Sequence, residues 1–322
     1  MSNLAVLQTQ HTHAARSSGT DDNDNPFWSP PIGSGCVAIA ALAGHIDVLS
    51  QRIAELPVRA AVTRPVVGQY LSMIRTLAAC WQRRSRPALA GALDALALIG
   101  ASLGQAHAQH ALRQPRKDGV RMADAVLRRL TAPAASLATL NADLGSYLAQ
   151  MARASGELEC DTALVTERVQ SDAVHAFLLS QQASALQSRL DDANVRQRAT
   201  WLLGPHAQQV REEITLHGSA LEGVRRQLAL LQAEQAATRA EADYLQGLLP
   251  SLSTYLAAFE RMGAAIAAAH AGTATLRAAL QALGPALAAG QAPEAQLAEA
   301  LPHWADVAQA AARIKMPDAT RT

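Results

Sequence analysis

Between residues 210 and 249, twelve positions follow one another on alternating steps of four and three: Val210, Ile214, His217, Leu221, Val224, Leu228, Leu231, Gln235, Thr238, Ala242, Leu245 and Leu249. Nine of these twelve are apolar. Spacing that averages 3.5 residues keeps one helix face turned toward a partner over many turns, so this stretch is a coiled-coil seam with a softer middle. A matching stripe precedes it: Val165, Val169, Ala176, Leu179, Ala183, Leu186, Leu190 and Ala193 fall on helical steps. Between the two lies WLLGPH at 201–206. Gly204 permits a helix stop and Pro205 suits a first helical turn, so the segment reads as the tip of a hairpin. The sequence thus predicts a rod-like antiparallel hairpin over about 157–250, with its tip at 201–206. At about 1.5 Å per residue, an arm from 160 to 203 would be roughly 66 Å long.

The rest of the chain agrees with helix. Of 322 residues, 49% are apolar but only 3% aromatic, and the apolar share is dominated by Ala and Leu rather than by the β-branched and aromatic residues that strands favour. The expected fold is all-α, an elongated helical bundle with a long antiparallel coiled-coil hairpin. A net charge of +1 gives no general attraction for nucleic acid. Cys36, Cys80 and Cys160 are odd in number and far apart, which suits neither a disulfide framework nor a zinc site.

Residues 1–32 are polar, carry DDNDN at 21–25 and end in PFWSPP, so they are expected to form a disordered or docked N-terminal tail. Phe27 and Trp28 either anchor that tail to the body or stand exposed. Residues 33–322 are expected to form a single elongated helical bundle. Helical spacing runs from Gly35 to Leu56, and Pro57 and Pro65 interrupt it. One or two helices follow to Leu112, punctuated by RRSR at 83–86 and Pro87. Between Arg86 and Arg113 the only formal charge is Asp94, and residues 87–104 approach the length a bilayer core demands of a helix. RRSR at one end and Arg113, Arg116 and Lys117 at the other bracket this segment with positive charge, as in a helix that meets anionic head groups. Leu96, Leu98, Ile99 and Leu103 are its membrane candidates. The competing expectation is a buried bundle helix, because Asp94 is costly in lipid. Gly100 and Gly104, spaced G-x-x-x-G, permit close helix contact in either case. Downstream, a long helical region from Val120 is expected to meet Pro133 and soft points at Gly145 and Gly156. More helix lies past Pro250, GQAP at 290–293 breaks it, and a last short helix carries Trp304.

No motif for chemistry stands out. Gly33, Gly35 and Ala38 satisfy a loose G-x-G-x-x-A dinucleotide pattern, but no strand precedes it and no βαβ alternation follows. His107 and His110 lack a third metal ligand. Glu157, Glu159 and Asp161 surround Cys160 with negative charge, which disfavours a thiolate. There is no P-loop. No enzyme activity, cofactor or metal is expected.

Trp201, Leu202 and Leu203, with Gly204 and Pro205, place large apolar groups at a turn, where polar residues are usual. Such a tip suits a bilayer interface or a protein groove, or it folds back into the core. The start MSNLAVLQTQHTHAARSS has no basic stretch leading into an apolar one, so a classical secretory signal is not expected there. With this start, the Pro-broken early helices around IAELPVRAAVTRP, the long antiparallel pair meeting at WLLGPH and the closing PHWADVAQAA, the chain resembles the α-helical pore-forming toxins, and within them the B-type subunit of xenorhabdolysin-type binary toxins. The resemblance covers about 35–315 and rests on layout. It implies a cytolytic subunit that is soluble in the producing bacterium, is released without a classical signal peptide, meets an A-type partner subunit at a target-cell membrane and joins a hetero-oligomeric ring. Against a membrane-spanning tip, Arg196, Arg198, Arg211, Glu212 and Glu213 flank it. The alternative is a non-toxic coiled-coil scaffold or secretion-associated interaction protein that uses the rod as a docking surface.

Overall fold

The computed structural model describes residues 25–55, 65–108, 115–199, 204–288 and 293–315, and among them there is no strand. Among the described residues six α-helices carry the fold: α1 Pro30–Glu55, α2 Pro65–Cys80, α3 Arg86–Ala108, α4 Pro115–Ala199, α5 Pro205–Ala288 and α6 Pro293–Lys315. Helices α4 and α5 are 85 and 84 residues long. Together they make a long antiparallel hairpin, so the fold is an all-α bundle with the hairpin expected from the seam.

Several prolines behave differently from the sequence expectation. The PFWSPP segment does not hold helix off until residue 33: α1 begins at Pro30 itself. Proline is tolerated in a first turn because its missing N–H would have no intrahelical partner there. Pro133 lies inside α4 without ending it, whereas Pro302 sits within the closing helix α6 as the sequence expects. Nor does Pro250 close the hairpin arm, since α5 runs through it to Ala288. Each such proline costs roughly 3 kcal/mol or more in a helix interior, and tertiary packing outweighs it. At Pro87 the chain compensates locally. The five residues Trp81–Ser85 form a π-helical turn joining α2 to α3, in which Arg86 N–H donates to Trp81 O. The widened turn absorbs the crowding that the Pro87 ring imposes on the preceding turn, so the expected break becomes a bulge.

Contacts group the chain into two compact units. The first comprises Met1–Ala41, Ala88–Asn141 and Ala264–Thr322. Its core is built from Ile32 and Ile39 of α1, Leu89, Leu93 and Leu96 of α3, Leu130 and Leu137 of α4, Leu276 and Leu280 of α5, and Trp304 and Val307 of α6, all buried. Small residues let these helices approach closely. A Cβ added at Gly35 would lie 2.7 Å from Ala269 N and 2.8 Å from Ala265 O, so α1 rests on the backbone of α5. Gly35 is thus a helix-packing position, Gly33 makes room for the Trp28 ring, and both lie with Ala38 in one unbroken helix, not in a phosphate loop.

The N-terminal anchor closes onto this unit. Phe27 and Trp28 are buried. Trp28 stacks on His303 at 4.9 Å and meets Trp304 edge-on at 5.4 Å. Trp304 Nε1 donates to Phe27 O at 2.9 Å, and Asn25 Nδ2 donates to Gln296 O at 2.7 Å.

The second unit comprises Leu42–Pro87 and Ala142–Gly263. Its core sets Trp81 edge-on to Phe259 at 5.3 Å and Tyr255 edge-on to Phe259 at 4.8 Å. Asp47 of α1 receives both ends of the π turn: Trp81 Nε1 donates to Oδ1 at 2.9 Å and Arg86 Nε pairs with Oδ2 at 2.8 Å. Burying each large apolar side chain here contributes about 1.5–3 kcal/mol. The carboxylate fixes the register of the turn.

Candidate membrane- and partner-contacting site

The hairpin is held by its seams. All twelve α5 positions from Val210 to Leu249, and all eight α4 positions from Val165 to Ala193, are buried or half-buried. Polar pairs beside the seam show the antiparallel register: Gln246 with Thr166 at 3.4 Å, Arg225 with Gln187 at 2.9 Å, and Arg196 with Glu213 at 2.6 Å. Arg168 and Glu234 also pair across the arms. Rising numbers on α4 meet falling numbers on α5.

Toward the hairpin's end, Ala193 and Val210 are, among the described residues, the last fully buried seam positions of their arms. Gly204 is exposed, and its carbonyl accepts from Ala207 N at 3.0 Å and Gln208 N at 3.3 Å, which starts α5 at the exposed Pro205. Gly204 therefore serves the start of α5. Trp201, Leu202 and Leu203 lie outside the described residues. Two of the charges expected to oppose membrane contact here, Arg196 and Glu213, neutralise each other in the cross-arm ion pair. Arg198, Arg211 and Glu212 remain at the surface.

The second membrane candidate lies in the first unit. Leu96, Ile99 and Leu103 are buried in its core, whereas Leu98 is 65% exposed. Asp94 pairs with Lys315 of α6 at 2.6 Å. A Cβ added at Gly100 would lie 2.6 Å from Trp304 Cβ, so the first glycine of the G-x-x-x-G pair is where α6 packs on α3. The segment has the placement of a bundle helix. The stretches Pro30–Glu55 and Gly68–Ala108 are long and apolar enough to cross a membrane, yet 44% and 39% of their most apolar windows are buried in protein.

The structure adds apolar residues that the sequence analysis passed over. Val174, Phe177 and Leu178 of α4 are 62%, 61% and 55% exposed, and Leu216 and Leu230 of α5 are 65% and 73% exposed. Val174, Phe177 and Leu178 are spaced three and four apart, hence on one helix face outside the seam.

Among the described residues no group of three His, Cys, Asp or Glu side chains is placed to hold a metal. His107 is half-buried, and His110 lies outside the described residues. Glu157 pairs with Arg153 at 3.1 Å, and Cys160 is exposed. The strongest perturbation of a polar side chain in the second unit is structural. Burial pushes the Tyr255 hydroxyl up to about 12, assisted by the charge of Asp47 and opposed by the hydrogen bond with Ser50.

No protein-family profile and no curated protein matches this chain in sequence. Solved structures do match it in fold. The HblL1 toxin component of Bacillus cereus is similar with a TM-score of 0.60 at 8% identity, covering 92% of this chain and 100% of its own. The pre-pore form of AhlB, from the tripartite α-pore-forming toxin AHL of Aeromonas hydrophila, gives 0.63 at 12% identity over 91% of this chain and 98% of its own. Soluble SmhA, from the tripartite α-pore-forming toxin Smh of Serratia marcescens, gives 0.56 at 14% identity over 90% and 94%. At such identities the likeness is one of fold, and the fold is that of components of α-pore-forming toxins.

Proposed function

We propose that this chain is a non-enzymatic subunit of a multicomponent α-helical pore-forming cytotoxin, which associates with a partner subunit and assembles into a pore at a target-cell membrane. The observation that carries this reading is the match of nine-tenths of the chain to toxin components over nearly all of those chains. The sequence of the turn supports it, because Trp201, Leu202 and Leu203 are large apolar residues between the two seams, where polar residues are usual. In its narrower form the proposal makes this the B-type subunit of a xenorhabdolysin-type binary toxin with an A-type partner in a hetero-oligomeric ring. AhlB and SmhA are named as parts of tripartite toxins, so a second partner belongs in the test.

Dye release from liposomes tests the proposal, first with this chain alone and then with helical proteins encoded beside its gene. Release that needs the partners, with rings in negative-stain micrographs, is the expected result. Leu202→Asp with Leu203→Asp should abolish attachment to vesicles while helicity and melting stay unchanged. Full lysis by that variant would refute the tip assignment, and a large loss of stability would place the tip in the core.

The exposed row Val174, Phe177 and Leu178 favours a second reading, a coiled-coil scaffold that docks a partner along α4. A scaffold ignores lipid under every condition, and that outcome would replace the pore reading.

A further inference from the structure

In the first unit, the last turns of α3 and the first turns of α4 leave a groove of about 320 Å³ between them. That is at the low end of ligand pockets, which run from roughly 300 to 1,000 Å³. Its floor is hydrocarbon: Ile99, Leu103 and Val126 are buried and Met122 half-buried. Leu98, one turn before the lining Ser102 on the same stripe of α3, extends the apolar track outward. Among the described residues, the polar lining groups are Ser102, Asp118, Arg121 and Arg129. Arg121 and Arg129 of α4 are exposed there, and Arg129 reaches across to donate to Ser102 Oγ. One acid, Asp118, shares the rim and already has an interaction of its own. Two guanidiniums against one carboxylate leave the lip positive.

We propose that this groove binds a single-chain anionic amphiphile of the fatty-acid class, with its chain on the Ile99, Leu103, Met122 and Val126 floor and its carboxylate at Arg121 and Arg129. Three features select that class. The floor offers no hydrogen-bond partner to a polar ligand, and water gains little there. The volume suits one chain rather than the two of a bilayer phospholipid. The guanidinium of Arg129, after its bond to Ser102, keeps donors in the fork geometry that fits a carboxylate. The site is independent of the hairpin tip, so a chain that binds amphiphile but lyses no vesicle leaves it standing.

Calorimetric titration of the full chain with dodecanoate, below its micellar concentration, tests the proposal. Saturable binding of one dodecanoate per chain is expected. Dodecyltrimethylammonium should not bind, because its head meets the same positive lip. Arg121→Gln with Arg129→Gln should weaken dodecanoate by about tenfold or more. Both side chains are exposed, so this variant keeps its fold. Ala106→Phe, which fills the groove from its half-buried wall, should abolish binding with an unchanged circular-dichroism spectrum. Absence of saturable binding, equal binding of the cationic amphiphile, or full binding by Ala106→Phe would each overturn the proposal. Attachment to phosphatidylglycerol vesicles through Arg121 and Arg129 without dodecanoate binding would overturn it as well, by assigning these arginines to a lipid surface.

Discussion

Tyr255 shows how a single buried hydroxyl links the core to pH. Its ring is fully buried against Phe259, and its hydroxyl meets Ser50 Oγ at 2.9 Å. Ionisation would place a charge where water cannot reach, so the folded state holds the proton to about pH 12 against an ordinary value of 10.0. A group whose pKa is raised on folding contributes its full stability below the unfolded value and loses it as pH climbs through the folded one. Stability should therefore fall between about pH 10 and pH 12, by up to roughly 2–3 kcal/mol from this group. Tyr255→Phe should be less stable at neutral pH by about 1 kcal/mol, having lost one hydrogen bond, and should show a flatter alkaline limb in urea titrations. An alkaline limb identical in both proteins would mean that another group titrates. Glycines make the same point about surroundings. Gly100→Leu should destabilise by about 1–3 kcal/mol or more, since the new side chain meets Trp304, whereas Gly145→Ala, with nothing within 4 Å, should stabilise by about 1 kcal/mol. Thermal melts of the two variants should move in opposite directions.

At the scale of elements, the hairpin separates seam from surface. Leu245 is 1% exposed in the seam, so Leu245→Ala should cost about 2–5 kcal/mol. Phe177 is 61% exposed, and Phe177→Ala should change stability by no more than about 0.5 kcal/mol. If α4 carries a contact face, the same Phe177→Ala protein should lose activity or partner binding despite an unchanged melt, which denaturant titration and a pull-down together would register. The ion pair of Arg196 with Glu213 is half-exposed on both sides, so its removal should cost less than about 1 kcal/mol. Helix interruption also belongs to this scale. Pro87 is accommodated by the π turn at Trp81–Ser85, and the turn is fixed because Trp81 and Arg86 share the Asp47 carboxylate. Asp47→Ala should therefore destabilise the second unit beyond the loss of one surface pair.

For the whole molecule, a subunit awaiting assembly and a finished scaffold differ in mass. A pore subunit should sediment mainly as a monomer in buffer and form large species once lipid and its partner are added, whereas a coiled-coil scaffold should remain a stable dimer throughout. Sedimentation velocity distinguishes the two. The fold class, the two long arms and both seams were set by the sequence alone, because a heptad pattern sustained from Val210 to Leu249 leaves a helix one face to bury and a helical partner to bury it against. The start of α5 at Pro205 was also legible, since proline in a first helical turn acts through local backbone geometry. Tertiary structure decided what local rules leave open. Leu96, Ile99 and Leu103 became core and Leu98 surface, because an apolar run has no preference between lipid and a bundle until Gly100 admits Trp304 and Asp94 finds Lys315. Gly35 became a packing position only through the approach of α5, and Gly33 through the Trp28 ring folded against it. Pro133, Pro250 and Pro302 stayed inside helices because side chains distant in sequence supply the packing energy that offsets the lost backbone bonds.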